Sequence, residues 1–199
     1  MSRMVRGALI IFEGVDRSGK STQIKRIFEK MQKRGDSVYL TRFPERTSEI
    51  GKMINSYLQN SSNLSDEAIH LLFSANRWEH RDLILEKLNA GTTVLIDRYA
   101  YSGVAFTAAK GLNLNWCKNP DRGLPQPDVI IQLDIDEETA KGRGGFGEER
   151  YEKIEFQRQV RTLYKTLSLE NENVSDFFRS GLDLTLTLSL RICESLIFE

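Results

Sequence analysis

Four short apolar runs punctuate the chain, with amphipathic stretches between them: Ala8-Leu9-Ile10-Ile11-Phe12, Ser37-Val38-Tyr39-Leu40, Thr93-Val94-Leu95-Ile96 and Val129-Ile130-Ile131-Gln132-Leu133. An unbroken apolar run of this length is what a strand buried on both faces presents. The stretches at 22–33, 49–59, 66–88 (one helix or two), 102–110 and 152–168 carry helical periodicity; the first sets Ile24, Ile27, Phe28 and Met31 on one face. Ser65 followed by Asp66 and Glu67 reads as a helix start, with acids beside the positive end of the dipole. Gly35 and Gly91 each follow a helical stretch and precede a strand, as helix stops do. Alternating strands and helices predict an α/β fold, a parallel sheet with helices on both faces. There is no internal repeat, low-complexity tract or long linker, so residues 1–199 are expected to form one domain.

On such a sheet ligands bind beyond the carboxyl ends of the strands, and polar chemistry stands at each of those places. The first run leads into Gly14-Val15-Asp16-Arg17-Ser18-Gly19-Lys20-Ser21, a complete G-x-x-x-x-G-K-[ST] phosphate-binding loop between a strand and a helix. In that arrangement backbone N–H groups and a helix N-terminus surround a polyphosphate. Lys20 reaches the β- and γ-phosphates, and the Ser21 hydroxyl joins a Mg²⁺ shell. The second run leads into Arg42-Phe43-Pro44-Glu45-Arg46, and the third ends in Asp97-Arg98-Tyr99. The fourth passes through Asp134 and Asp136 to a glycine- and arginine-rich loop, 142–150. A nucleoside triphosphate is the expected ligand.

Composition narrows the function classes. Lys plus Arg number 28 and Asp plus Glu 28, a net charge of zero that argues against a broad nucleic-acid or membrane footprint. Glu13 interrupts the N-terminal apolar stretch too soon for a signal peptide, and no run reaches membrane-spanning length. Two cysteines far apart, Cys117 and Cys193, make no metal-ligand cluster and suit a reduced compartment, the cytoplasm or the nucleus.

Several residues carry two readings. Asp97 either holds Mg²⁺, directly or through water, or caps the following helix. Arg42, Arg46 and Arg98 are either surface charge or a cluster facing a second anionic group; two phosphate places in one crevice would mean transfer between them. The segment 142–147 matches G-x-G-x-x-G but does not open the first βα unit, so it is either a lid with glycine hinges and Arg143 and Arg150 closing over phosphates, the first expectation, or a solvated turn. Phe73 and Arg77 share a helix face, either as part of the core or as a platform and a hydrogen-bonding group for a nucleobase; Leu71, Leu72 and Trp78 are that helix's plainer core candidates. His70 and His80 have no partner at ligand spacing and are expected at the surface or its boundary.

Taken together, Gly-Val-Asp-Arg-Ser-Gly-Lys-Ser-Thr at 14–22, Arg-Phe-Pro-Glu-Arg at 42–46, Leu-Leu-Phe-Ser-Ala-Asn-Arg-Trp-Glu at 71–79, Asp-Arg-Tyr-Ala-Tyr-Ser-Gly-Val-Ala-Phe at 97–106 and Gly-Leu-Pro-Gln-Pro-Asp at 123–128 resemble thymidylate kinases of the eukaryotic and poxviral type. The resemblance runs in order from Gly7 to about Tyr164. It implies a P-loop nucleoside monophosphate kinase architecture with a lid at about 135–157, transferring the γ-phosphoryl of ATP to dTMP with Mg²⁺. Carried over, Gly14, Val15, Asp16, Arg17, Ser18, Gly19, Lys20, Ser21, Thr22 and Arg143 would bind ATP, with Ser21 and Asp97 serving the metal. Asp16, Phe43, Arg46, Phe73, Arg77, Arg98, Phe106 and Tyr151 would bind dTMP, Phe73 stacking on thymine and Arg77 reading its edge. Arg17, Lys20, Asp97 and Arg98 would carry the chemistry. The resemblance also implies a homodimer; from the balanced charge, no nucleic-acid polymer or membrane is expected as partner.

Beyond about residue 167 the family pattern fades. The alternation from Leu182 to Leu190 predicts a half-buried edge strand; leucines four apart also permit a helix, and an undocked tail is the third option. Two other functional classes make distinct demands. A GTP-dependent switch requires an N-K-x-D guanine motif, which the sequence lacks. A non-catalytic nucleotide-binding protein has no need of Lys20, Arg17 and Asp97 together.

Overall fold

The computed structural model describes residues 6–142, 149–169 and 177–179. Its centre is a five-stranded sheet of β1 (Leu9–Gly14), β2 (Val38–Arg42), β3 (Thr93–Asp97), β4 (Val129–Asp134) and β5 (Phe177–Arg179). The spatial order is β2-β3-β1-β4-β5 and every pairing is parallel. The four apolar runs are therefore the first four strands. The fifth lies upstream of the leucine alternation, and residues 182–190, for which a strand was the first expectation, are outside the described residues, as is most of the atypical tail.

Side chains alternate between the two faces of β1 and separate the core into layers. Leu9 and Ile11 join Val94, Ile96 and Ile130 under Ile84 and Leu88 of α4 (Arg81–Asn89). Ile10 and Phe12 join Leu95, Ile131 and Leu133 under Ile24 of α1 (Lys20–Arg34). All of these are buried, which is why the strands read as continuous apolar runs. A third cluster unites α5 (Ala100–Ala108) with α8 (Ile154–Leu169) through Val104, Ala105, Val160 and Tyr164. A fourth joins α2 (Glu49–Leu58) to α3 (Asp66–Glu79) through Ile54, Tyr57, Leu58 and Ile69.

The punctuation follows its chemistry. Ser65 caps α3 by accepting from the Ala68 N–H at 3.2 Å. Gly35 ends α1 in the left-handed conformation, φ 85°, its N–H bonded to the Gln32 carbonyl. The stretch 66–88 is two helices, α3 and α4, that meet at His80. Short elements not legible in the pattern complete the chain: α6 (Leu114–Lys118), a 3-10 turn at Asn119–Asp121, and α7 (Glu137–Gly142). Asp136 caps α7 by accepting from the Thr139 N–H and hydroxyl, and Asp134 is paired with Arg161 at 2.8 Å. Both acids after β4 thus serve structure.

Candidate active site

β1 lies between β3 and β4, so the loops after β1 and β3 leave the sheet side by side. The loop after β1 is built on backbone that side chains rarely adopt. Gly14 has φ 132°, and a Cβ there would stand 1.9 Å from the Leu133 carbonyl oxygen. Gly19, at the N-cap of α1, has φ 91° and brings no capping side chain, which leaves the helix's first N–H groups open to an anion. Arg17 is left-handed as well, φ 62°, a strained conformation for a residue with a Cβ.

Lys20 is buried and turns back along the loop, donating to the Val15 carbonyl at 2.6 Å and to the Ser18 hydroxyl at 3.2 Å. Burial, with the Arg98 charge adding to it, pulls its pKa down to about 7. Across the crevice the Ser21 hydroxyl donates to Asp97 at 2.5 Å. Asp97 does not cap α5; the first N–H groups of that helix go to Glu13.

Beside the loop opens a cavity of about 620 Å³ of empty space, part of it continuous with solvent, lined by Asp16, Phe43, Arg46, Phe73, Arg77, Arg98, Phe106 and Tyr151 among others. These eight are the residues expected around the acceptor nucleotide, gathered from six separate segments. Arg98, left-handed at φ 68°, pairs with Asp16 and donates to the Gly14 carbonyl at 3.0 Å and the Ser102 hydroxyl at 3.1 Å. Its guanidinium carbon lies 5.2 Å from the Phe106 ring centroid. Phe73 is half-buried: it packs against the α2–α3 cluster and also lines the cavity, so core and platform are not exclusive here. Tyr151 stacks on Phe156 at 5.3 Å, and burial holds its phenol well above the ordinary range, so it stays neutral.

Three of the cavity's arginines bind carboxylates that sequence spacing does not reveal. Arg77 forks onto Asp121 at 3.0 and 2.7 Å, both side chains buried. Asp121 engages Nε and Nη2. Arg46 takes Glu149 at 2.8 and 3.2 Å and Asn55 at 2.9 Å. Arg98 holds Asp16, whose other oxygen accepts from Gln157 at 2.6 Å. On the loop itself, Arg17 donates to Glu152 at 3.0 Å. Gln157 also accepts from the Asp16 N–H and donates to the Tyr151 carbonyl, fastening the phosphate loop to the chain that enters α8.

Other expectations need correction. Arg42 is exposed and does not line the cavity. Arg150 does not reach the phosphate loop; it donates to the Tyr57 and Ser62 carbonyls and to Asn63, locking the segment after residue 148 onto the end of α2. Arg143 and the glycines 144, 145 and 147 fall outside the described residues. His70 is fully buried rather than superficial, between the Thr107 hydroxyl at 2.8 Å and the Cys117 carbonyl at 2.9 Å; burial lowers its pKa and keeps it neutral. Leu71 and Trp78 are 48% and 38% exposed, while Ile69, Ser74, Asn76 and Arg77 fill the inward face of α3.

Comparison with known proteins bears on the same residues. The thymidylate kinase family model matches residues 12–176. The thymidylate kinase of Schizosaccharomyces pombe is 53% identical over 170 residues, covering 85% of this chain and 81% of that protein. That of Arabidopsis thaliana is 56% identical over 162 residues, 81% of this chain but 62% of its own length, so the chain spans less than two thirds of that longer relative. The solved thymidylate kinase of Candida albicans superposes with a TM-score of 0.84 at 39% identity, covering 96% of this chain and 92% of that one.

Proposed function

Because the chain belongs to the thymidylate kinase family, we propose that it transfers the γ-phosphoryl group of ATP to the 5′-phosphate of dTMP, giving dTDP and ADP on the route to dTTP. The observation that carries this is the juxtaposition of an intact phosphate loop with a cavity lined by arginines and aromatic rings. Two anion-binding places in one crevice suit a transfer between two nucleotides; a hydrolase needs one.

ATP lies with its phosphates over residues 14–22, on the N–H groups of the loop and the open end of α1. Lys20 swings from the Val15 carbonyl to the β- and γ-phosphates. Arg98 and Arg46 take the acceptor phosphate, Phe73 stacks on thymine, and Arg77 uses the edge that Asp121 leaves available. Phe43 and Phe106 wall the pocket, Asp16 meets the 3′-hydroxyl region, and Tyr151 crowds the sugar. An acceptor phosphate oxygen, already ionised at neutral pH, attacks the γ-phosphorus as the bond to the β-bridging oxygen breaks; ADP leaves with that electron pair. No general base is needed. Arg17, displaced from Glu152, clamps the transferring group, and catalysis is positioning and charge neutralisation.

Ser21 and Asp97 fit Mg²⁺: two hard oxygens 2.5 Å apart beside the phosphate loop. Among the described residues no group of three or more His, Cys, Asp or Glu side chains forms a protein-only cage. Held by Ser21 and Asp97, the metal would supply positive charge that offsets that of the phosphates.

A homodimer is proposed through α2 and α3, where Met53 and Leu71 are 51% and 48% exposed. The expected location is the cytoplasm or nucleus. Among the described residues no helix is long and apolar enough to cross a membrane.

The test is an ADP-release assay over a panel of nucleoside monophosphates beside Arg17→Ala. Turnover of dTMP well above AMP, GMP and CMP is expected, with Arg17→Ala slower by about 10³ at unchanged dTMP affinity. Equal turnover of AMP or GMP, or of an unphosphorylated nucleoside, would replace dTMP as the acceptor. dTMP binding without transfer would mark a non-catalytic protein.

A further inference from the structure

Granted the dTMP kinase function, on which this rests, we infer that Glu13 is a positioning residue for the acceptor arginine, acting on Arg98 through the Ser102 hydroxyl. Glu13 lies near the end of β1 and is only 1% exposed. A carboxylate withdrawn from water this far needs a full set of donors, and it has four. One oxygen accepts the Tyr99 N–H at 2.8 Å and the Ser102 N–H at 3.1 Å. The other accepts the Ser102 hydroxyl at 2.5 Å and the Tyr164 hydroxyl at 3.0 Å.

The first oxygen performs the work of a missing helix cap. Tyr99 occupies the N-cap of α5 and makes no side-chain capping bond. Its own N–H and that of Ser102, in the first turn, are satisfied instead from a neighbouring strand. This fixes the chain one residue after Arg98, whose left-handed φ of 68° costs energy unless its surroundings hold it.

The second oxygen sets a polarity. Ser102 has one hydroxyl proton, and the carboxylate takes it. Its lone pairs are then left to accept from Arg98 Nη1 at 3.1 Å, so donation runs from arginine to serine to carboxylate. An amide at position 13 has the same size and keeps an oxygen for the two N–H groups. Its NH₂ would face Ser102 as a donor, and the serine proton would turn towards the guanidinium. Arg98 would lose an acceptor and be repelled from its seat while the fold stays capped.

The experiment measures KM for dTMP and for ATP in wild type, Glu13→Gln, Ser102→Ala, the double variant and Tyr164→Phe, with melting curves for each. Glu13→Gln is expected to raise KM for dTMP about tenfold, as loss of one charge-assisted hydrogen bond does, with KM for ATP changed less than twofold. The double variant should be no worse than the more severe single change, since both break one chain of bonds. The Tyr164 hydroxyl touches the same carboxylate and lies 2.8 Å from Ser102 Oγ but does not bond Arg98; Tyr164→Phe leaves the Arg98–Ser102–Glu13 chain of bonds in place and should lower the melting temperature with KM for dTMP within twofold. A merely structural Glu13 would give equal rises in both KM values, or additive single effects; either overturns the inference. If Glu13→Gln does not fold, Ser102→Ala against Tyr164→Phe decides, and equal effects on KM for dTMP overturn it. A wild-type protein that does not turn over dTMP refutes the function itself, whereas an active wild type with an indifferent Glu13→Gln refutes only the positioning role.

Discussion

Lys20 should take up a proton when ATP binds. Burial and the neighbouring Arg98 charge pull its pKa from 10.5 down to about 7. At about pH 8 roughly one molecule in ten then carries the ammonium, and at about pH 7 roughly half. Several negative phosphate oxygens within contact distance restore the charged form, so binding at about pH 8 should absorb about 0.9 proton, falling to about 0.5 at about pH 7. Calorimetric titration of MgATP in buffers of different ionisation enthalpy reads this directly as the slope of observed heat against buffer heat. Lys20→Met should abolish the slope. A slope near zero at about pH 8 would mean that Lys20 is already charged in the free protein. A slope surviving in Lys20→Met would assign the proton elsewhere. The same group gives stability a definite sign. Its native pKa lies below the unfolded value, so between about pH 7 and 10.5 the unfolded chain binds more protons and stability rises with pH from this source. Saturating MgATP should flatten that rise.

Three further outcomes are expected. Arg77→Ala leaves the buried Asp121 with the Ser74 hydroxyl and without its fork, and should lower unfolding free energy by about 3 kcal/mol in urea titration; a loss below about 1 kcal/mol would show the pair to be dispensable. Gly14→Ala drives a Cβ to 1.9 Å from the Leu133 carbonyl at a φ of 132°, so soluble protein with an unchanged melting temperature would contradict the geometry of the loop. Asp97→Asn keeps a hydrogen-bond acceptor for Ser21 but removes the charge, and should raise the Mg²⁺ concentration for half-maximal activity about tenfold while leaving dTMP affinity in place.

The sheet was legible because β1, β3 and β4 are buried on both faces and admit little but aliphatic side chains, and because Gly35 and Ser65 act on backbone a few residues away. α3 was not legible from hydrophobicity. Its inward face borders the cavity and Asp121, and so carries His70, Ser74, Asn76 and Arg77, while Leu71 and Trp78 are left outside. Among the lining residues, Asp16, Arg46 and Arg98 follow strands and Phe73 and Arg77 share a helix face, so motif and spacing pointed to them, whereas Phe43, Phe106 and Tyr151 came only with the family resemblance. Their carboxylate partners were not: Asp121, Glu149 and Glu152 lie 44, 103 and 135 residues from Arg77, Arg46 and Arg17, and only folding brings them together. Glu13 looked like an interruption of an apolar run, because nothing local announces that a helix beginning at Ala100 lacks its own cap.

Glu149 and Glu152, three residues apart, each engage one arginine, from opposite sides of the crevice. On the proposed function, a phosphate arriving at Arg46 or at Arg17 would have to displace a carboxylate that then has to find water or another donor. Affinity at those two arginines would then be a difference between two anions competing for one guanidinium.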